Sequence, residues 1–376
     1  MPKRIISFMI LIVMLATLTG CWGREELNEI AIIHTLTIDK EENNNIRVTV
    51  EISQTVPQGQ APSGLRGNPV YLSEVGETLF DIARKLSATT SRTLIWGHIS
   101  AIVFSKEVAK EGVQKHFDIL TRLRHFRNMT NVYITDGKAK DILSAEVPLQ
   151  KLTSIGLTGL IKAQKSNAST KRVTQMQVFQ TLTNDYNDLT VPALHVYKHP
   201  ITEKLNLRVG GMYVFAKDKL ISYMDGEKTK SYLRAINESK EAEETLHSEE
   251  KKKSFSFENT HNSAKIIPNM QNGIPSVTIE LHADFDVAEV QKETKIDPEQ
   301  IEKWKVELNE SLKEQMMAFI SYTKKNKVDL IGIKEIVHRK YPKQWKDLEK
   351  DWNKIYPEIQ FHVVVKSKIE HTFLLL

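Results

Sequence analysis

Cysteine is nearly absent from this sequence: there is one, Cys21, in 376 residues. A single thiol excludes an internal disulfide framework and any thiolate metal cluster, so the folded part must stand on packing alone. Aromatic residues are sparse, at 7%. Charge of one sign is weak as well, with 52 Lys and Arg against 47 Asp and Glu and a formal net charge of +5. That balance is no footprint for nucleic acid. Long apolar runs are missing after the first twenty residues, and a membrane-spanning helix needs about 20 apolar residues in a row. The common chemical signatures are missing too: no nucleophile elbow, no Walker-type phosphate loop, no GxGxxG after a strand and no HExxH. No catalytic residue and no metal ligand is therefore assigned.

What is present begins at the N-terminus. Lys3 and Arg4 precede an apolar run from Ile5 to Leu18, then Leu18-Thr19-Gly20-Cys21. This is the layout of a secretory signal peptide, too short to span a bilayer comfortably. The small residues Thr19 and Gly20 expose the bond before Cys21 to a signal peptidase, and the Cys21 thiolate can then attack a lipid donor. Residues 1–20 are expected to be removed, and Leu18, Thr19, Gly20 and Cys21 resemble a lipobox. The only cofactor expected is covalent: diacylglycerol and an N-acyl lipid on Cys21. Cleavage leaves 356 residues with a net charge of +3, long enough for two or three domains.

The remainder alternates between helix and strand signals, which predicts a mixed α/β (α+β) fold of sheets with helices packed on them. Three domains are expected: 21–200, a small hairpin-plus-helix unit over 201–238, and 239–376. Ile30 to Asp39 and Ile46 to Gln54 read as a hairpin about a polar turn, and the Pro-, Gly- and Gln-rich stretch Pro57 to Pro69 as a mobile loop. Leu79, Ile82, Ala83 and Leu86 fall at helical spacing. Ser105 reads as the N-cap of a helical region running toward Arg127. Pro200 marks a boundary. Val209 to Ala216 and Leu220 to Met224 form a second hairpin. The charged run Glu238 to Lys253 is a linker or a solvated helix. Asp297-Pro298-Glu299 opens a long helix, 298–325, whose stripe is Ile301, Trp304, Leu308, Leu312, Met316, Phe319 and Ile320. A shorter helix follows, ended by Pro342, then another with Trp345 and Trp352 on one face, and a final strand from Ile359 to Ile369.

Few residues stand out as a site. His195 and His199 are four apart in a strand-like run, where that spacing makes no metal face. Arg122, Arg124, His125 and Arg127 form a basic cluster suited to anionic headgroups or an acidic partner, or to the C-terminal end of a helix. Trp22, beside the anchor, suits a membrane interface or the protein body. Asp329 and Gly332 occupy a turn between helices.

Several of these segments resemble one family in order. The run from Cys21-Trp22-Gly23-Arg24-Glu25-Glu26-Leu27-Asn28 through Asp39 is similar to the mature start of the Ger(x)C family, the C subunits of spore germinant receptors. Ser91 to His98, then Arg124 and Arg127, Gly137 to Leu143, Gly211 to Leu220, and Asp329 to Trp352 follow in the family's order. Ser222 departs from it, standing where glycine is frequent, and no glycine lies near His371 and Thr372. The resemblance implies a three-domain lipoprotein with no established catalytic role, on the outer face of the spore inner membrane. It also implies two membrane-embedded partners, subunits A and B, that respond to small nutrients. A lipid-anchored solute-binding protein is the alternative, against which the missing two-lobed α/β repeat weighs.

Overall fold

The computed structural model describes residues 4–9, 26, 28–53, 68–122, 126–239, 241–248, 253–271, 273–290 and 296–371. Cys21, Leu18, Thr19, Gly20, Trp22, Arg124, His125 and nearly all of the Pro57–Pro69 loop lie outside the described residues.

The chain from residue 30 builds a large sheet. β1 (Ile30–Lys40) and β2 (Ile46–Ser53) form the expected hairpin. Asn43 and Asn44 at its tip both take positive φ, a region that Asn tolerates better than most residues. β3 (Val70–Gly76) pairs with β2 as an edge strand. Half of it faces solvent, so no alternation marks it in the sequence. Helix α1 (Leu79–Ala88) follows, with the Thr78 hydroxyl accepting the Asp81 N–H at 3.1 Å and Ile82 and Leu86 buried beneath. β4 (Thr93–Ile95) and β5 (Ala101–Ser105) run parallel to β1. Ser105 caps α2 (Lys106–Glu111) as expected. The helical region is then broken at Gly112, whose φ of 123° suits glycine, before α3 (Gln114–Arg122).

β6 (Asn131–Thr135), α4 (Thr153–Ala163), α5 (Gln175–Thr183), β7 (Thr190–Lys198), β8 (Leu205–Ala216), β9 (Lys219–Met224) and α6 (Gly226–Ala235) complete this part. The strand order is β3-β2-β1-β5-β6-β7-β8-β9, with β4 also on β1. β1, β5, β6 and β7 are parallel at the centre, and antiparallel pairs flank them. Every residue of β5 and β6 is buried. Ile102, Phe104, Val132 and Ile134 face one core with Phe117 and Val178, while Ala101, Val103 and Tyr133 face a second with Leu157 and Ile161. Central parallel strands covered on both faces read as continuous apolar runs, and AIVFS and NVYIT do.

The hairpin of β8 and β9 lies in the large sheet, where β8 pairs with β7, and its buried Val214, Phe215 and Met224 join the main core. One expectation is corrected here: the charged run after Glu238, read as a linker or a solvated helix, contains a strand, β10 (Glu243–Ser248). Ala242, Glu244 and Leu246 alternate inward there, and a buried cation awaits Glu244.

β10, β11 (Lys253–Gln271), β12 (Ile274–Val290) and β13 (Gln360–His371) form a four-stranded second sheet in that order. Helix α7 (Pro298–Asn326) opens with Asp297 accepting the Gln300 N–H at 3.0 Å and with proline in its first turn. Its N-terminal half packs Trp304, Leu308 and Leu312 against Phe255, Phe257 and Phe285. Its C-terminal half carries Met316, Phe319 and Ile320 into the main core, where Phe319 lies 6.0 Å from the Tyr232 ring of α6. One helix thus joins the two sheets. α8 (Ile333–Lys340) and α9 (Pro342–Leu348) lead on to a short helix, α10 (Trp352–Ile355), and to β13.

Candidate functional site

The carboxylates that sequence reasoning leaves unexplained sit at the starts of helices. The backbone N–H groups there have no partner within the helix and carry partial positive charge. Asp39, at the end of the first family-like segment, accepts the N–H of Ala139 at 2.6 Å and of Lys140 at 2.9 Å. It thereby fastens Gly137 to Leu143, another such segment, onto β1. Burial pushes the Asp39 carboxyl above the usual carboxylate range. Glu51 on β2 accepts the Thr153 N–H at 2.8 Å, at the start of α4, and the Thr35 hydroxyl at 2.6 Å. Asp329 accepts the N–H of Ile333 at 2.9 Å and of Lys334 at 2.6 Å, at the start of α8. Gly332 makes that turn possible with a φ of 71°. Carboxylates bound to backbone in this way act as fasteners.

Asp329 also closes the junction between the two halves of the chain. Its N–H donates to the Asp188 carboxylate at 2.8 Å, and its carbonyl accepts the Asp188 N–H at 3.0 Å. Burial pushes Asp329 up to about 7 and Asp188 upward as well. Beside them lies a cavity of about 540 Å³ lined by groups of both charges, among them Asp185, Asp218, Lys217 and Lys334.

Of the residues singled out by sequence, Arg122 pairs with Asp118 one turn earlier at 2.9 Å, and Arg127 is exposed just before β6. His195 and His199 do not converge. His195 Nε2 lies 3.1 Å from the Gly210 carbonyl, while His199 Nδ1 accepts the N–H groups of Ile201 and Thr202 at 3.2 Å. Trp304, Trp345 and Trp352 are core residues, and the last two rings meet at 5.1 Å. Trp96 is half-buried against Phe126. Ser222 lies inside β9, where its hydroxyl meets that of Tyr322 on α7.

Sequence reasoning missed the Arg234–Glu244 pair, whose side chains are 1% and 5% exposed. Gln315 bonds to both partners, at 3.2 and 2.9 Å. A lone Arg on the apolar face of α6 was the available signal. Among the described residues, no group of three His, Cys, Asp or Glu is placed to hold a metal, and no helix is long and apolar enough to cross a membrane.

This architecture defines a class already known from a solved structure. The crystal structure of the GerBC protein superposes with a TM-score of 0.58 at 15% identity, covering 89% of this chain and 96% of that one. The spore germination protein N-terminal domain matches residues 23–196, and the GerAC-like C-terminal domain of spore germination proteins matches residues 210–373. The chain is 24% identical to spore germination protein KC of Bacillus subtilis (strain 168), over 99% of this chain and 97% of that protein. It is 20% identical to spore germination protein GerQC of Bacillus cereus, over 98% of each. The chain belongs to the Ger(x)C family, the germinant receptor subunits of spore germination. That is not a known enzyme family.

Proposed function

We propose that this chain is the lipid-anchored C subunit of a nutrient germinant receptor. Diacylglyceryl and N-acyl chains on Cys21 hold it on the outer face of the spore inner membrane. There it assembles with two membrane-embedded subunits, A and B, and supports the triggering of germination without catalysing a reaction. One observation carries the reading: the family match begins at residue 23, two residues after the lone cysteine that closes an apolar export signal. Two or three acyl chains anchor stably where one does not. Confinement to the surface then raises the effective concentration of the chain near its membrane partners.

A Cys21→Ala variant tests the anchor, with loss from the membrane fraction and loss of the nutrient response expected. Retention in that fraction overturns it. Crosslinking in spore membranes is expected to join the chain to subunits A and B, and capture of neither overturns the assembly.

The 540 Å³ cavity favours a second reading, a lipid-anchored solute-binding protein, because its size and mixed charge suit a small zwitterion. Calorimetry of the processed chain with amino acids and sugars separates the two. Micromolar binding supports the second.

A further inference from the structure

A groove of about 370 Å³ runs between α1 and α3, with Leu36 and Val48 of the large sheet as its floor. Its lining is apolar apart from Arg84 and Ser87. Leu79, Phe80 and Ala83 form one wall, and Ile119 and Leu120 the other. Phe80 is left 50% exposed with the Arg84 guanidinium 5.2 Å from its ring centre. Trp96 and Phe126 close one end, their rings 6.0 Å apart.

That end adjoins the start of β1. Trp96 directly follows β4, whose Thr93, Leu94 and Ile95 pair with Ile30, Ala31 and Ile32. Cys21 precedes Ile30 by nine residues, a span of roughly 30 Å when extended. A lipid on Cys21 would therefore keep this end within reach of a bilayer. Charge points the same way. Arg84 lines the groove, Arg122 stands one turn beyond Ile119 on the same helix face, and Arg127 and His98 are exposed nearby. Met129 adds an apolar group that is 61% exposed. Of the nearby carboxylates, Glu26 and Glu29 are exposed, Asp81 on α1 pairs with Lys85, and the Asp118–Arg122 pair is too exposed to hold Arg122 firmly.

We propose that this groove docks a phospholipid of an anionic bilayer, its acyl chain between α1 and α3 and its phosphate on Arg84 and Arg122. The contact turns the α1–α3 face of the large sheet toward the membrane and orients the whole subunit there. The inference rests on the reading that Cys21 holds the chain at a membrane, but its test does not use the anchor.

The processed chain carrying Cys21→Ser and Trp22→Phe is mixed with vesicles of phosphatidylcholine alone or with added phosphatidylglycerol, whose acyl chains carry bromine. Binding to the phosphatidylglycerol vesicles alone is expected, with quenching of Trp96, because Trp304, Trp345 and Trp352 are buried away from lipid. Trp96→Phe abolishes the quenching. Arg84→Ala with Arg122→Ala weakens binding on the order of thirtyfold, about fivefold for each arginine. Ala83→Phe fills the groove and removes the quenching with the circular dichroism unchanged.

Equal binding to both vesicle types, binding to neither, or quenching that survives Trp96→Phe overturns the proposal. So does a groove that stays open to aqueous iodide on vesicles but is shielded by purified subunits A and B, since its occupant would then be protein. Failure of the anchor shows separately, as Cys21→Ala chain retained in cell membranes, and leaves the vesicle result standing.

Discussion

Asp188 and Asp329, 141 residues apart, are joined by two hydrogen bonds: the Asp329 N–H to the Asp188 carboxylate and the Asp188 N–H to the Asp329 carbonyl. Asp188 precedes β7 of the large sheet, and Asp329 precedes α8 beside the second. The link spans the two family-defined regions, so a change at either residue is felt by both.

Asp329 makes the stability of this link depend on pH. Burial holds its carboxyl at about 7 in the folded chain against 3.8 when unfolded, so the folded state binds the extra proton. Its stabilising contribution is complete below pH 3.8 and is lost as pH rises to about 7. Urea midpoints are expected to fall across that window in the parent chain and to stay flatter in Asp329→Asn. Asp329→Ala strands the N–H groups of Ile333 and Lys334 and is expected to cost about 1–3 kcal/mol. Parallel pH profiles for the parent and the Asn variant contradict this account.

Glu244→Ala leaves the Arg234 guanidinium buried without its carboxylate. Breaking such a pair destabilises by about 3–5 kcal/mol. Replacing both residues with apolar ones of similar volume is expected to restore much of the loss. Denaturant unfolding of the single and double variants measures it, and a mild Glu244→Ala phenotype refutes the role given to the pair.

Asp39→Ala removes the acceptor for Ala139 and Lys140 and releases the Gly137–Leu143 segment from β1. A lost helix cap costs about 0.5–2 kcal/mol. Amide exchange at Ala139 and Lys140 is expected to quicken while that of β5 stays slow, and unchanged exchange there counts against the fastening role.

Gly211 needs to be glycine. Its φ is 73°, and a methyl group there would lie 2.7 Å from the Met224 carbonyl, with the Tyr223 hydroxyl closer still. Gly211→Ala is expected to cost about 1–3 kcal/mol through strain and displacement of β9. Thermal melting tests it, and a melting temperature equal to that of the parent excludes the strain.

Much of the local structure was legible in the chain itself. Ser105 and Asp297 cap the helices they precede because a cap needs only residues two or three positions away. Trp304, Leu308, Leu312 and Phe319 on α7 were readable because helical periodicity brings distant positions to one face. What escaped was the strand whose pattern depends on neighbours. β3 lies at an edge with little to bury, and β10 hides an inward carboxylate in a charged run.

The sparse cysteine marked Cys21 as the candidate anchor, and local patterning by itself determined most of the element types, β3 and β10 apart, and the resemblance in motif order. Only the tertiary structure decided where the carboxylates go. Asp39 and Ala139 stand 100 positions apart, and Asp188 and Asp329 stand 141 apart. No period links such pairs, since the partner of a buried charge is chosen by the packing of whole sheets. Tertiary packing also decided that β8 and β9 extend the large sheet and that one helix, α7, joins it to the second. Those relationships depend on which apolar faces bury each other, a property of the assembled chain.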